Sequence, residues 1–80
     1  MGNQISILIV DDEQSVTESL YNWFIEDGYY VKCAANAKEA LSILESEKFH
    51  IVLADIKMPG MDGLEMHRRI KSLDEDIIVI

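Results

Sequence analysis

Cysteine and proline are nearly absent from this chain, which has one of each and only four glycines among its 80 residues. The single cysteine, Cys33, excludes an internal disulfide framework, and no Cys/His spacing is typical of a zinc site. Its expected role is that of a small buried apolar side chain. The scarcity of proline and glycine excludes a collagen-like or low-complexity chain, whereas a hydrophobic fraction of 49% is typical of a globular domain.

Basic residues are also scarce, at 7 against 15 acidic residues, which gives a net charge of −8 at pH 7. An acidic surface repels phosphate backbones and anionic lipids, so nucleic acids and membrane surfaces are poor partners, whereas a basic partner or a divalent cation suits it. The first apolar run, residues 5–10, is too short for a signal peptide or a membrane span, and no basic segment precedes it. We therefore predict a cytoplasmic protein.

The hydrophobic period of the chain changes several times along its first half. Residues 5–10 are apolar and rich in β-branched side chains, which is typical of a strand buried on both faces of a parallel sheet. Residues 14–27 carry apolar side chains at helical spacing, among them a partly buried Trp23, and Gly28 follows where a left-handed helix cap is favoured. Residues 29–34 are predicted to form a second strand.

The next segment repeats this alternation of helix and strand. Asn36 and Glu39 resemble a capping box, and they predict a helix over Ala37–Ser46. The inward side chains of that helix would be those of Ala37, Ala40, Leu41 and Leu44. Residues 49–54 form a third apolar run and are predicted to be a third strand.

A third helix and a fourth strand complete the pattern. Asp62 and Glu65 resemble a second capping pair that begins the third helix, and residues 77–80 begin an apolar fourth strand. The expected order is therefore β-α-β-α-β-α-β. Strands that alternate with amphipathic helices predict right-handed crossovers around one parallel sheet.

Acidic residues stand directly after two of the predicted strands. Asp11 and Asp12 follow the first strand, and Asp55 follows the third. Ligands of open α/β sheets bind beyond the carboxyl ends of the strands, where the winding reverses, so three carboxylates converge if these two strands are neighbours. Like charges repel unless a cation joins them, and Mg²⁺ favours carboxylate oxygens together with phosphate. The spacing suggests a magnesium-dependent phosphoryl site.

Each of these acids also has an ordinary structural explanation. Asp12 could be the N-cap of the first helix, Asp11 a solvated turn residue and Asp55 a loop carboxylate. Any one acid taken alone favours that explanation, and only their coincidence at one edge of the sheet weakens it. The spacing alone leaves both interpretations open.

Two segments resemble the motifs of response-regulator receiver domains, the CheY-like family. The first is ILIVDDE at residues 7–13, and the second is IVLADIKMPGMDGLE at residues 51–65. The resemblance extends over essentially all of residues 5–80. It implies a flavodoxin-like (CheY-like) α/β fold, which is a doubly wound parallel sheet, in a phosphorelay module of two-component signalling.

The resemblance also implies a role for each matching site residue. Asp55 would accept a phosphoryl group from a sensor histidine kinase or a phosphotransfer protein. Mg²⁺ would be bound by Asp12 directly, by Asp11 directly or through water, by Asp55, and by the backbone carbonyl of Lys57. The chemistry agrees, because phosphoryl transfer needs little beyond an in-line nucleophile and a cation that neutralises the phosphoryl oxygens. Such a module is a regulatory phosphoacceptor more than an enzyme.

The family pattern continues beyond the elements expected in this chain. It has five strands and five helices, so we expect residues 1–80 to form a single, incomplete receiver domain without the fourth helix, fifth strand and fifth helix. The switch Ser/Thr and the phosphate-pairing lysine of the family would also be missing, and the output domain is not identified. Uncovered strand surface and an apolar edge at residues 77–80 would favour a homo-oligomer.

Two other functions compete with this one. The chain could be only an association module that oligomerises through exposed faces and is never phosphorylated. It could also be a magnesium-dependent phosphohydrolase of the haloacid-dehalogenase type, another α/β fold with an aspartate at a strand end. The motif of that family has a second acid two residues after the nucleophile, whereas this chain has Lys57 at that position.

Overall fold

The computed structural model describes residues 4–54 and 63–80. Strands and helices alternate along the chain as β1 (Ser6–Val10), α1 (Gln14–Glu26), β2 (Tyr30–Ala34), α2 (Ala37–Ser46), β3 (Ile51–Ala54), α3 (Gly63–Leu73) and β4 (Ile78–Val79). The order predicted from the hydrophobic periods is confirmed, although several strands are shorter than predicted. Within the described residues, no helix is both long enough and apolar enough to cross a membrane.

The four strands form one parallel sheet in the order β2-β1-β3-β4. β1 therefore lies inside the sheet, with β2 on one side of it and β3 and β4 on the other. This is the strand order of the flavodoxin-like doubly wound fold, and the winding reverses between β1 and β3. The predicted fold class is confirmed.

Two helices, α2 and α3, cover one face of the sheet, and α1 covers the other. Side chains of a strand alternate between faces, so Leu8 and Val10 pack on the side of α2 and α3, whereas Ile7 and Ile9 pack on the side of α1. All four side chains are at most 3% exposed. Burial on both faces explains why β1 is an unbroken apolar run.

The end of α1 is fixed by backbone hydrogen bonds around Gly28. The Gly28 N–H donates to the Ile25 carbonyl and the Tyr29 N–H donates to the Phe24 carbonyl, both at 3.1 Å. This is the Schellman arrangement, and Gly28 has the positive φ of 91° that it requires. The ring of Tyr29 also packs edge-on against that of Phe24, with centroids 5.7 Å apart.

The start of α2 confirms the predicted capping box. The Asn36 side chain accepts a hydrogen bond from the Glu39 N–H at 2.8 Å. In return, the Glu39 carboxylate accepts from the Ala35 N–H at 2.7 Å. Two backbone donors at the helix start are thereby satisfied, which fixes α2 at the predicted residue.

A hydrogen-bonded trio ties β2 to the end of α2. The Tyr30 hydroxyl donates to Glu47 at 2.6 Å, and the Lys32 ammonium pairs with the other oxygen of that carboxylate at 3.0 Å. The Tyr30 hydrogen bond, and then Lys32, hold the pKa of Glu47 below its usual range. The hydrogen bond to Glu47 raises the pKa of both Tyr30 and Lys32.

Two side chains are more exposed than the sequence pattern predicted. Trp23, expected to be partly buried, is 64% exposed and stacks on Phe24, with ring centroids 6.0 Å apart. Cys33, expected to be buried, is exposed, because it lines an opening beside α1 that leaves it less covered than Val31 and Ala34 of the same strand. Partial burial of its sulfur, which lies 3.9 Å from the Thr17 carbonyl oxygen, raises the pKa of the thiol.

The apolar edge predicted at residues 77–80 is only partly correct. Ile78 and Ile80 are 55% and 70% exposed, but Ile77 is 2% exposed and belongs to the core with α2 and α3. Ile80 also continues the pairing of β4 with β3, because its N–H donates to the Val52 carbonyl at 2.9 Å. Its apolar side chain nevertheless remains at the surface.

Candidate functional site

The acidic pair lies where β1 ends. Asp11 follows Val10 directly, and its N–H donates to the Ala34 carbonyl at 3.1 Å, so the backbone of β2 holds the pair at the carboxyl edge of the sheet. The Asp11 side chain is half-buried and that of Asp12 is exposed. The predicted position of both residues is confirmed.

The Asp11 carboxylate shapes the turn that leads into α1. Its Oδ1 accepts a hydrogen bond from the Glu13 N–H at 2.9 Å, two residues on, which makes an Asx-turn. Glu13 itself occupies the N-cap position, and no side-chain hydrogen bond caps the helix. The interpretation of Asp12 as the N-cap is therefore wrong. Oδ1 of Asp11 therefore has a structural role in the turn, whereas Oδ2 takes no part in it.

The register between β1 and β3 carries the other half of the predicted site. Val10 pairs with Ala54, and Ala54 is the residue before Asp55 in the sequence. Asp55 and Lys57 lie outside the described residues, so their roles stay predictions. Among residues 4–54 and 63–80, no group of three or more His, Cys, Asp and Glu side chains could hold a metal ion.

Asp11 lines an opening on each side of the end of β1. The first, of about 300 Å³, lies toward β2 and also contains Asp12, Thr17 and Glu39. The second, of about 310 Å³, lies toward β3 and is lined mainly by apolar side chains that include Leu53. Sequence reasoning missed Glu39 as an acid near this site, because its spacing from Asn36 indicated only a helix cap. The fold adds its charge to those of the acidic pair.

The fold and the acidic end of β1 define a doubly wound α/β protein with a polar site at its winding reversal. The model of the response regulator receiver domain family matches residues 7–80. The chain belongs to that family, and it is a receiver domain of the kind found in two-component systems. The resemblance noted in the sequence is thereby confirmed.

Two curated relatives are similar over most of the chain. Sporulation initiation phosphotransferase F from Bacillus subtilis is 46% identical over 74 residues, which are 92% of this chain and 60% of the relative. The response regulator MprA from Mycolicibacterium vanbaalenii is 37% identical over 95% of this chain and 33% of its own length. The chain thus spans between about one third and three fifths of the length of these relatives.

Solved structures show the same fold. A CheY-like receiver domain protein from Methanospirillum hungatei has a TM-score of 0.92 at 35% identity, over 96% of this chain and 62% of its own. The response regulator TrrA from Thermotoga maritima, in complex with Mg²⁺ and BeF, has a TM-score of 0.87 at 37% identity, over 95% and 66% of the two chains. TrrA has also been solved in complex with the histidine kinase ThkA.

Proposed function

We propose that this protein is a phosphoacceptor of a two-component phosphorelay, in which Asp55 takes a phosphoryl group from a histidine kinase or a phosphotransfer protein. The observation that carries the proposal is the register of β1 with β3. It pairs the residues that directly precede Asp11 and Asp55, at the point where the winding reverses. Ligands of such sheets bind at that point.

The residues of the chain suit a magnesium ion. Asp11 and Asp12 offer carboxylate oxygens at a solvent-accessible strand end, which are the hard ligands that Mg²⁺ prefers. With Asp55 and the backbone carbonyl of Lys57 they would hold the ion. When bound, Mg²⁺ neutralises the charge on the phosphoryl oxygens.

The transfer step is a displacement at phosphorus. A carboxylate oxygen of Asp55 forms the new O–P bond while the N–P bond to the donor imidazole breaks, and the electron pair of that bond returns to the imidazole nitrogen. Asp55 is the reacting group in this proposal, and Asp11 and Asp12 act through charge and position. The protein is a regulatory acceptor more than an enzyme.

The relatives support this proposal. TrrA has been solved with Mg²⁺ and BeF and with a histidine kinase, so a kinase partner and a magnesium ion are proposed for this chain as well. Family membership also favours a receiver over the phosphohydrolase alternative. An attached output domain and a cytoplasmic location stay predictions.

The first experiment measures Mg²⁺ binding by the 80-residue chain, with calorimetry and with the backbone amide NMR signals of residues 10–13. We expect saturable binding that weakens at least tenfold in Asp12→Asn and in Asp55→Asn, because each removes a charged ligand. Glu26→Gln, which removes an exposed acid at the far end of α1, is the matched control. Binding that all three variants leave unchanged would contradict the proposal.

A second candidate function is association of the chain with a copy of itself. The exposed side chains of Ile78 on β4 and of Ile80 just after it favour association, because exposed apolar strands at a sheet edge pair with other chains. Sedimentation at several protein concentrations tests this, with Ile78→Lys expected to reduce association and Asp55→Asn to leave it unchanged. A monomer at every concentration would rule it out.

A further inference from the structure

A groove opens between α2 and α3 at the end of the sheet opposite the acidic pair. It lies where α2 and α3 end and β3 and β4 begin, and we call it the α2–α3 groove. Its volume is about 410 Å³, within the range of ~300–1,000 Å³ typical of small ligand sites. Nothing in the proposed phosphoryl transfer uses it.

The floor of the α2–α3 groove is apolar. Phe49, Ile70 and Ile77 form it and are at most 3% exposed, so the floor is part of the packed core. Leu73, the last residue of α3, stands at the side of the groove and is 49% exposed. An apolar side chain that enters the groove would cover the exposed surface of Leu73 and remove it from water.

The rim of the groove is acidic. Three carboxylates line it, those of Glu45, Glu47 and Asp74, against one cation, Lys48. Lys32 offsets part of the charge of Glu47, with which it pairs at 3.0 Å. Lys71 also lies beside the groove, because its ammonium donates to the Ile77 carbonyl, but the adjoining acids Glu75 and Asp76 outnumber it. The groove and its surroundings therefore keep a net negative charge, within a chain whose net charge is −8. A cation that docks there is attracted, whereas an anion or a second copy of this acidic chain is repelled.

We propose that the α2–α3 groove binds a segment of a partner protein that presents an apolar side chain beside an arginine or lysine. The apolar side chain occupies the floor next to Leu73, and the cation meets the carboxylates of Glu45 and Asp74. The groove lies at the opposite ends of the strands from Asp11, so a partner held there leaves the phosphoacceptor end open. Rim charges of this kind set the choice of partner more than the strength of binding.

The experiment titrates the 80-residue chain with the blocked tetrapeptide Arg-Leu-Phe-Arg and follows backbone amide NMR shifts. We expect shifts concentrated in residues 44–49 and 70–77, with a Kd on the order of 1 mM because the peptide is short. The same titration with Glu-Leu-Phe-Glu and with Arg-Ser-Ser-Arg should give no saturable shift there. Raising the salt concentration should weaken binding of the first peptide.

Variants separate the apolar and charged contributions. Glu45→Lys should weaken binding about threefold, as expected for one exposed ion pair, and Glu26→Lys on the opposite face of the sheet should not. Leu73→Ser should weaken it about fivefold without disturbing the buried floor, because Leu73 is half-exposed already. The proposal is overturned if the groove amides do not shift, if the acidic peptide binds equally well, or if both Glu45→Lys and Leu73→Ser bind like the unchanged chain.

Discussion

Asp11 has two separable roles, one in the turn after β1 and one in the proposed metal site, and two substitutions distinguish them. Its Oδ1 accepts the Glu13 N–H at 2.9 Å, so the turn needs an acceptor oxygen but not a negative charge. Asp11→Asn keeps the acceptor oxygen and loses the charge, and asparagine favours the same Asx-turn. Asp11→Ala loses both.

The geometry sets the size of each effect. A hydrogen bond to a charged acceptor contributes ~1.5–3 kcal/mol, and half-exposure of Asp11 reduces this to about 1 kcal/mol. We therefore expect Asp11→Ala to lower the free energy of unfolding by about 1 kcal/mol, which is roughly 4–8 °C in Tm for a domain of this size. Asp11→Asn should change it by less than about 0.5 kcal/mol. Removing one of two adjacent negative charges offsets part of any loss.

Thermal unfolding with and without Mg²⁺ separates the two roles. At ten times its Kd, a ligand of the folded state stabilises it by about 1.4 kcal/mol. At a Mg²⁺ concentration ten times the Kd of the unchanged chain, we expect that chain to gain this stabilisation. At the same Mg²⁺ concentration, both Asp11 variants should lose most of the gain, since both lack the carboxylate. The reasoning fails if Asp11→Asn destabilises the metal-free protein as much as Asp11→Ala does. It also fails if Mg²⁺ stabilises Asp11→Asn as strongly as the unchanged chain.

Other predictions concern the framework around the site. Ile70→Ala should lower the free energy of unfolding by ~2–5 kcal/mol, because the Ile70 side chain is fully buried between α3 and the sheet. Leu73→Ala, at the half-exposed end of the same helix, should lower it by less than about 1.5 kcal/mol, and urea unfolding measures both. Asn36→Ala should cost about 1 kcal/mol in the same assay, since it removes the cap of α2, and Asn36→Ser should restore most of it. Glu47 stabilises the fold above the ordinary carboxyl pKa, because its folded-state pKa is lowered, and this stabilisation disappears as the pH falls through that lowered value. Glu47→Gln should therefore reduce the fall in the free energy of unfolding at acid pH, and an unchanged pH dependence would contradict this.

Local sequence signals were sufficient where both partners of an interaction are close in the chain. The start of α2 follows from Asn36 and Glu39, and the end of α1 follows from Gly28, because these caps involve residues only a few positions apart. Burial could not be predicted in the same way. Cys33 and Trp23 were expected to be covered, but the cover of a side chain depends on where its strand or helix falls in the sheet.

In the candidate site, too, some features could be predicted from the sequence and others could not. The position of Asp11 and Asp12 at a strand end followed from the apolar run before them. The pairing of β1 with β3 was only a condition of the sequence argument, and the structure meets that condition. The Asx-turn of Asp11 and the N-cap role of Glu13 did not follow, since several residues near a helix start can satisfy the same backbone donors. The roles of Asp55 and Lys57 stay predictions.

The most direct test of the central claim is phosphorylation of the 80-residue chain by a phosphorylated histidine kinase or by acetyl phosphate, in the presence of Mg²⁺. Intact-mass spectrometry should detect the addition of one phosphoryl group that hydroxylamine removes, as an acyl phosphate requires. The account predicts that Asp55→Asn abolishes this addition, that Asp12→Asn and chelation of Mg²⁺ reduce it, and that Glu26→Gln does not alter it. Phosphorylation that persists in Asp55→Asn, or a folded chain that binds Mg²⁺ and is never phosphorylated, would contradict it.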